Sequence, residues 1–388
     1  MTPASLFPFE PTVRIGLCEN EPFGLAPHGK YSVEAAENQV FYLPLHADSF
    51  MEVKGLEIGR GFHWSQRRDL RFPGVIRLER DNDRSRLLNI VKAEEYLKMV
   101  VGSEMNPLAP PELIKAHAII SRSWLMRQLM RGGKSQRQAA DTNPFIRYTE
   151  SDAHIGYDVC NDDHCQRYQG LDAVTETSSA AVEATRGIVL TDVSSGSITD
   201  ARFSKCCGGK SEIYSTCWGD KDFDSLQSVD DPYCAPDRLH RHDVSRLLKD
   251  YDALTDDYYR WRRVVPAALI AANIRNMFGV DVGGVISMKA LRRGPSGRIS
   301  LLKISGTDSE IEIGKELTIR RVLSDSHLYS SAFDIEKTDD GFTLTGHGWG
   351  HGVGLCQIGA AVMAAEGYSH EQILSHYYRN TQLSKLYD

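Results

Sequence analysis

Ala93-Glu94-Glu95-Tyr96-Leu97-Lys98-Met99-Val100-Val101-Gly102-Ser103-Glu104-Met105-Asn106-Pro107 is an amphipathic run with a built-in stop. Leu97, Val100, Val101 and Glu104 stand at i, i+3, i+4 and i+7, one face of a helix. The residue before a proline avoids the helical region, so Asn106-Pro107 ends the element. A second helix follows at once, from Pro110-Pro111, where proline suits the first turn, through Leu129.

Outward from this helical middle the pattern changes to strands. Upstream, Thr12–Cys18, Val40–Leu45, Glu52–Ile58 and Val75–Arg80 are β-rich runs between Gly, Pro, Asn and Asp punctuation. Downstream, a helix at Ser178–Arg186 closes on Gly187, and Ile188–Thr191 with Ser197–Phe203 reads as a hairpin. Val285–Ala290, Ile299–Ser305 and Glu310–Ile313 are strands again. The end is a glycine-rich loop, a helix from about Gln357 to Glu366, and a last helix with Ser369 and Gln372 as a capping box. The expected class is α+β: a β-rich N-terminal region over 1–90, a core over 91–235 and 277–388 with a helical middle and mixed C-terminal elements, and a charged helical insertion over 236–276 that carries Trp261.

Composition narrows the partners. The chain has 388 residues, 41% apolar and 25% charged, which is the balance of a folded protein. Forty-five basic against fifty-two acidic residues give a net charge of −7, so no broad basic face for nucleic acid is expected. No run approaches the roughly 18 apolar residues of a membrane span. Met1–Glu10 lacks the basic flank and apolar core of a secretion signal.

Five features carry candidate chemistry. Glu104 would be a carboxylic acid at the end of an apolar helix face; desolvation there raises its pKa, which suits a general acid, whereas a helix-end glutamate reaching solvent is the plain alternative. Arg122 lies within the apolar stripe Ile114, Ala118, Leu125 and Leu129, so it needs a carboxylate partner or braces the helix pair through loop carbonyls. His154, Cys160, His164 and Cys165 offer two imidazoles and two thiolates for a closed zinc site, with a Cys160–Cys165 disulfide as the competitor. Ser204-Lys205-Cys206-Cys207-Gly208-Gly209-Lys210-Ser211 follows a strand and offers backbone approach and polar contacts, while its vicinal cysteines are alternatively partners for Cys217 or Cys234. Gly346-His347-Gly348-Trp349-Gly350-His351-Gly352-Val353-Gly354 has five glycines in nine residues. It would leave room for a flat ligand, with Trp349 stacking on a sugar and the two histidines donating hydrogen bonds; a packed glycine turn or a histidine metal site competes.

Taken together these segments resemble the SpoIID/LytB family, the sporulation-type lytic transglycosylases and amidase enhancers of bacterial cell walls. The resemblance rests on Ala93–Leu97 and Val100–Met105, Leu113–Ala118 with Ser121-Arg122, Asp158–Cys160 with His164–Tyr168, and Ala184–Gly187. It continues, in the same order, through Cys207–Gly209, Gly297-Arg298, Leu317–Arg320, His347–Gly354, Gln357–Ala360, Ile373-Leu374 and His376–Tyr378. It implies cleavage of peptidoglycan glycan strands between N-acetylmuramic acid and N-acetylglucosamine, on strands stripped of stem peptides. Glu104 then matches the catalytic acid and Arg122 an active-site arginine. His154, Cys160, His164 and Cys165 match positions of structural Zn2+. Ser204, Cys207, Gly208, Gly209, Lys210, His347, Trp349, His351 and Gln357 become the expected substrate contacts. A cell-wall amidase is an implied partner and the cell envelope the implied location. Two positions depart from the family pattern: Cys207 and Cys356 stand where serine is usual.

Overall fold

The computed structural model describes residues 7–60, 65–81, 84–131, 143–147, 154, 156–161, 165–247, 249 and 258–388. They divide into two compact units: residues 1–134, 151–200 and 382–388, and residues 135–150 and 201–381. The class is α+β, as the alternation of strand-like and helix-like segments predicts.

The first unit opens with eight strands, β1 (Thr12–Glu19), β2 (Gly24–His28), β3 (Tyr31–Ala36), β4 (Gln39–Pro44), β5 (Phe50–Ile58), β6 (Gln66–Pro73), β7 (Val75–Asp81) and β8 (Arg84–Lys92). Val13, Ile15 and Leu17 alternate into the core of β1, the period-2 pattern of a strand with one buried face. A six-stranded sheet has the order β3-β4-β7-β8-β1-β9, where β9 is the two-residue strand Val159–Cys160, parallel to β1. β2, β5 and β6 form a separate three-stranded sheet. Three helices follow: α1 (Ala93–Glu104), α2 (Pro111–Arg131) and α3 (Glu176–Ala184). Strand β10 (Ile188–Asp192) pairs with the C-terminal strand β19 (Thr381–Lys385).

α1 ends at Glu104, and Asn106 Oδ1 accepts the Leu108 N–H beyond it. α3 starts two residues before the expected Ser178. Thr175 is its N-cap: the Thr175 hydroxyl accepts the Ser178 N–H, and the Ser178 hydroxyl accepts the Thr175 N–H, each at 3.0 Å.

In the second unit β11 (Phe203–Ser204) is followed, after short helical turns at Tyr214–Cys217, Pro236–Leu239 and Val244–Leu247, by β12 (Arg260–Pro266), α4 (Ala267–Phe278), β13 (Val285–Arg293), β14 (Ile299–Gly306), β15 (Glu310–Gly314) and α5 (Glu316–Val322). Then come β16 (Phe333–Lys337), β17 (Gly341–His347), β18 (Leu355–Cys356), α6 (Gln357–Ala365) and α7 (His370–Tyr377). The sheets β13-β14-β15 and β12-β17-β16 share one apolar core, with Trp261, Ile270, Ile304, Ile319 and Phe342 in it. The capping box at Ser369 and Gln372 is present.

Two expectations are corrected. Trp261 lies on strand β12 and not on a helix, because Trp261 and Val265 point into the core while Arg260, Arg262 and Arg263 pair along β17. The hairpin expected from Ile188–Phe203 reduces to a single bridge, Thr191 to Ile198. Phe203-Ser204 instead pairs in parallel with Leu355-Cys356, about 150 residues away.

Candidate functional site

Glu104 is the last residue of α1, and the residue is 8% exposed. Leu97, Val100 and Val101 on the same face are fully buried. One oxygen, Oε1, accepts the backbone N–H of Arg167 at 3.1 Å, and Oε2 has no protein partner among the described residues. The loop that supplies this bond is itself fixed along α1 and α2. The Gln169 N–H donates to the Ser103 hydroxyl at 3.1 Å, the Tyr96 hydroxyl to Gln166 Oε1 at 3.3 Å, and Gln166 Nε2 to the Ser121 carbonyl at 3.5 Å. The carboxylate is thus held through Oε1 by a loop that is itself fixed.

Arg122 is fully buried in the same unit and all five of its donors are used. Nε and Nη2 fork onto Glu94 at 2.8 and 2.7 Å, Nη1 reaches the Thr185 hydroxyl and the Ile188 carbonyl, and Nη2 also reaches the Val182 carbonyl. Burial alone would push the Glu94 carboxyl up, but the bonds and charge of Arg122, with the Tyr387 hydroxyl, hold it below its ordinary value. This geometry makes Arg122 a brace between α1, α2, α3 and β10. Glu94, its partner, is the residue that sequence reading did not single out. The signal was there: Glu94, Leu97 and Val101 share a face, so an acid on one apolar stripe matched a base on the other.

Cys160 hangs on the sheet edge, where β9 pairs Cys160 with Gly16. The ligand atoms of His154, Cys160 and Cys165 lie within 4.8 Å of one another, with Cys165 Sγ 3.5 Å from His154 Nε2. Cys160 and Cys165 are not joined in a disulfide. His164 lies outside the described residues. An imidazole and two thiols converging this closely fit a zinc-class ion.

The expected sugar contacts all fall in the second unit, where paired backbone brings their two segments together. Ser204 pairs with Cys356, Cys206 with Trp349 and Glu212 with Val353. Their side chains are largely engaged by the protein. Trp349 stacks on Tyr329 at 4.7 Å and tilts against Tyr258 at 4.9 Å. His347 Nε2 meets the Ser296 carbonyl at 2.9 Å, and His351 Nδ1 accepts the Val353 N–H at 3.0 Å while its ring lies edge-on to Trp218. Burial lowers the pKa of both histidines. Gly208 and Gly209 are left-handed turn positions, Lys210 is exposed beside Asp230, and Ser204 and Gln357 are buried. Cys207 Sγ points at Asp231 and Cys234, 3.2 and 3.5 Å away.

The residue that organises this region, Arg298, was read only as part of a matching segment. It is fully buried, donating to the carbonyls of Gly350 and Cys207 and to the Ser296 hydroxyl. Ser296 in turn donates to Glu212, whose carboxyl burial raises. Gly348 and Gly352 make room for this guanidinium.

A family model described as Stage II sporulation protein, SpoIID, matches residues 81–191. Over this segment the chain is similar to the SpoIID family. The SpoIID match contains Glu104, Arg122 and the His154–Cys165 group, all in the first unit. A domain of unknown function, DUF8618, matches residues 212–354 of the second unit. Over longer stretches the chain is similar to stage II sporulation protein D of Bacillus subtilis, 26% identical over 302 residues, covering 76% of this chain and 75% of that protein. It is also similar to an uncharacterised protein of Brachyspira hyodysenteriae, 27% identical over 308 residues, 78% of this chain and 69% of the relative. A short stretch, 66 residues at 33% identity, is similar to the amidase enhancer of Bacillus subtilis and covers 17% of this chain and 9% of that protein.

Proposed function

We propose that this SpoIID-domain protein is a lytic transglycosylase of the cell envelope that cuts the glycan strands of peptidoglycan, with Glu104 as its general acid and base. The observation that supports the reading is the Glu104 side chain, buried at the end of α1 and held through Oε1 by the Arg167 N–H. The match to stage II sporulation proteins over this segment supports the substrate class.

Glycosidases that add water use two carboxyl groups. A transglycosylase needs one. The protonated Glu104 would give its proton to the glycosidic oxygen as the bond from that oxygen to C1 of the muramyl sugar breaks. The muramyl O6 then bonds to C1 and its proton passes to the Glu104 carboxylate. The products are an N-acetylglucosamine end and a 1,6-anhydro sugar, with the acid regenerated and no water consumed. His154, Cys160 and Cys165 would hold a structural zinc ion beside the loop that orients Glu104. Similarity to an amidase enhancer gives a cell-wall amidase as a candidate partner.

Mass analysis of products from denuded glycan tests this. Anhydro ends that disappear in Glu104→Gln, with glycan binding retained, support the enzyme. Unchanged product release by the variant rejects Glu104 as the acid, and glycan binding without cleavage by the unaltered chain favours an enhancer role.

A further inference from the structure

The second unit contains a group of donors that the proposed chemistry does not use. Cys207, Asp231, Cys234 and Cys356 come from three distant segments, yet their ligand atoms all lie within 4.8 Å of one another. All four residues are buried, none more than 1% exposed. Cys207 Sγ is 3.5 Å from Cys234 Sγ and 3.2 Å from Asp231 Oδ2. In a tetrahedral site with zinc–sulfur bonds of about 2.3 Å the donors stand roughly 3.8 Å apart, so these separations need to open by only a few tenths of an ångström.

The surroundings suit thiolates and a fixed carboxylate. The N–H groups of Cys207 and Gly359 point at Cys356 Sγ from 3.3 and 3.4 Å. Asp231 Oδ2 accepts the Tyr377 hydroxyl and Oδ1 the Tyr233 N–H, each at 3.0 Å, so the carboxylate is oriented by neighbours as metal ligands are. Those partners are a phenol and an amide, neither of them a cation. A Cys207–Cys234 disulfide is the competing use of these thiols, and the 3.5 Å between the two sulfurs is well beyond a bonded pair.

We propose that Cys207, Asp231, Cys234 and Cys356 bind a zinc-class divalent ion, independently of His154, Cys160 and Cys165. Three thiolates select a borderline-soft ion over magnesium or calcium. Four buried protein donors leave no open position, so the site is structural. Binding releases the thiol protons to solvent. The ion would join the Cys206–Gly209 turn, which is bonded to Trp349 in both directions at 3.1 and 2.8 Å, to the N-cap of α6 at Cys356. The two cysteines that replace the serines of the family pattern are both in the donor set.

The test is metal analysis of the full chain in a His154→Ala background, which takes one donor from the other group and leaves its two thiols. The expected result is about one equivalent of zinc in His154→Ala, falling to background when Cys207→Ser and Cys356→Ser are added. With cobalt in place of zinc, sulfur-to-cobalt charge-transfer absorption should follow the same pattern. A His154→Ala chain that is folded by circular dichroism but metal-free overturns the proposal, as does a Cys207–Cys234 disulfide in peptide mapping. Loss of the ion in Cys206→Ser with retention in Asp231→Asn overturns the donor set. Should the variants not fold, alkylation of the unaltered chain decides. Cys207, Cys234 and Cys356 should react only after a chelator is added, and reactivity indifferent to the chelator sinks the site.

Discussion

The guanidinium of Arg298 occupies the space a side chain on Gly352 would need: a Cβ built on Gly352 falls 2.4 Å from the Arg298 Cζ. Gly348 is in the same position, 2.7 Å from Nη2, and both have positive φ, at 76° and 74°. Gly352→Ala therefore combines backbone strain with a clash against a buried charge. We expect a loss of more than about 2 kcal/mol in urea unfolding. Gly367→Ala is the control, since its φ is 93° but nothing lies within 4 Å. It should lose only about 1–2 kcal/mol. Equal losses at the two sites would mean that Arg298 does not set the glycine pattern.

Arg122 and Glu94 predict a stability defect, not a chemical one. Removing either partner strands a buried charge, so Arg122→Met should cost about 3–5 kcal/mol. The pH dependence has a definite sign. Because the folded-state pKa of Glu94 is lowered, its contribution is present above the unfolded value near 4.5 and is lost as pH falls through the folded value. Chemical denaturation from pH 7 down to pH 3 should show a shallower acid loss in Glu94→Gln than in the unaltered chain. An Arg122→Met chain of full stability but no glycan cleavage would instead give Arg122 a direct part in the reaction.

The strands and helices around α1 are legible because each is set by local pattern: the alternation of β1, the single apolar face of α1, the stop at Asn106-Pro107. Glu104 was legible for the same reason. The pairing of Phe203-Ser204 with Leu355-Cys356 was not, since a parallel contact between two-residue strands leaves no periodic signature. The burial of Trp261 on a strand was hidden by the arginines around it, which read as a charged helix. The glycine-rich loop showed that space was needed beside the backbone but not what fills it: Arg298 beside Gly348 and Gly352, and Trp261 beside Gly346. Convergence of Cys207, Cys234 and Cys356 is a tertiary fact that spacing alone does not encode.

The loop that ends at Gln169 links the His154 group to Glu104. Cys165 is two residues from Arg167, whose N–H holds Glu104 Oε1, and the Gln169 N–H holds Ser103 on the preceding residue of α1. On the proposed function, releasing zinc from Cys165 should loosen that bond and misplace Glu104. Cys160→Ser is expected to lower kcat by roughly 10- to 100-fold, and Glu104→Gln by roughly 100- to 10,000-fold. The combination should be no worse than Glu104→Gln alone, because misplacing an absent acid has no further effect. Additive losses in single-turnover assays would show that the cysteine acts elsewhere.

His351 gives the second unit a sensitivity to mild acid. Burial, followed by the charges of Arg202, Arg298 and Arg320, holds its pKa well below the ordinary 6.5, so the imidazole is neutral in the folded chain. Its Nδ1 must stay unprotonated to accept the Val353 N–H. The unfolded chain takes up a proton below pH 6.5 while the folded chain does not, so stability falls as pH drops through that value. The slope attributable to one such group approaches about 1.4 kcal/mol per pH unit. Denaturation midpoints between pH 7.5 and 5 should fall less steeply in His351→Asn than in the unaltered chain, although the variant starts from a lower value. Parallel pH profiles for the two chains would mean that His351 takes up its proton without unfolding, and that the Val353 hydrogen bond is dispensable.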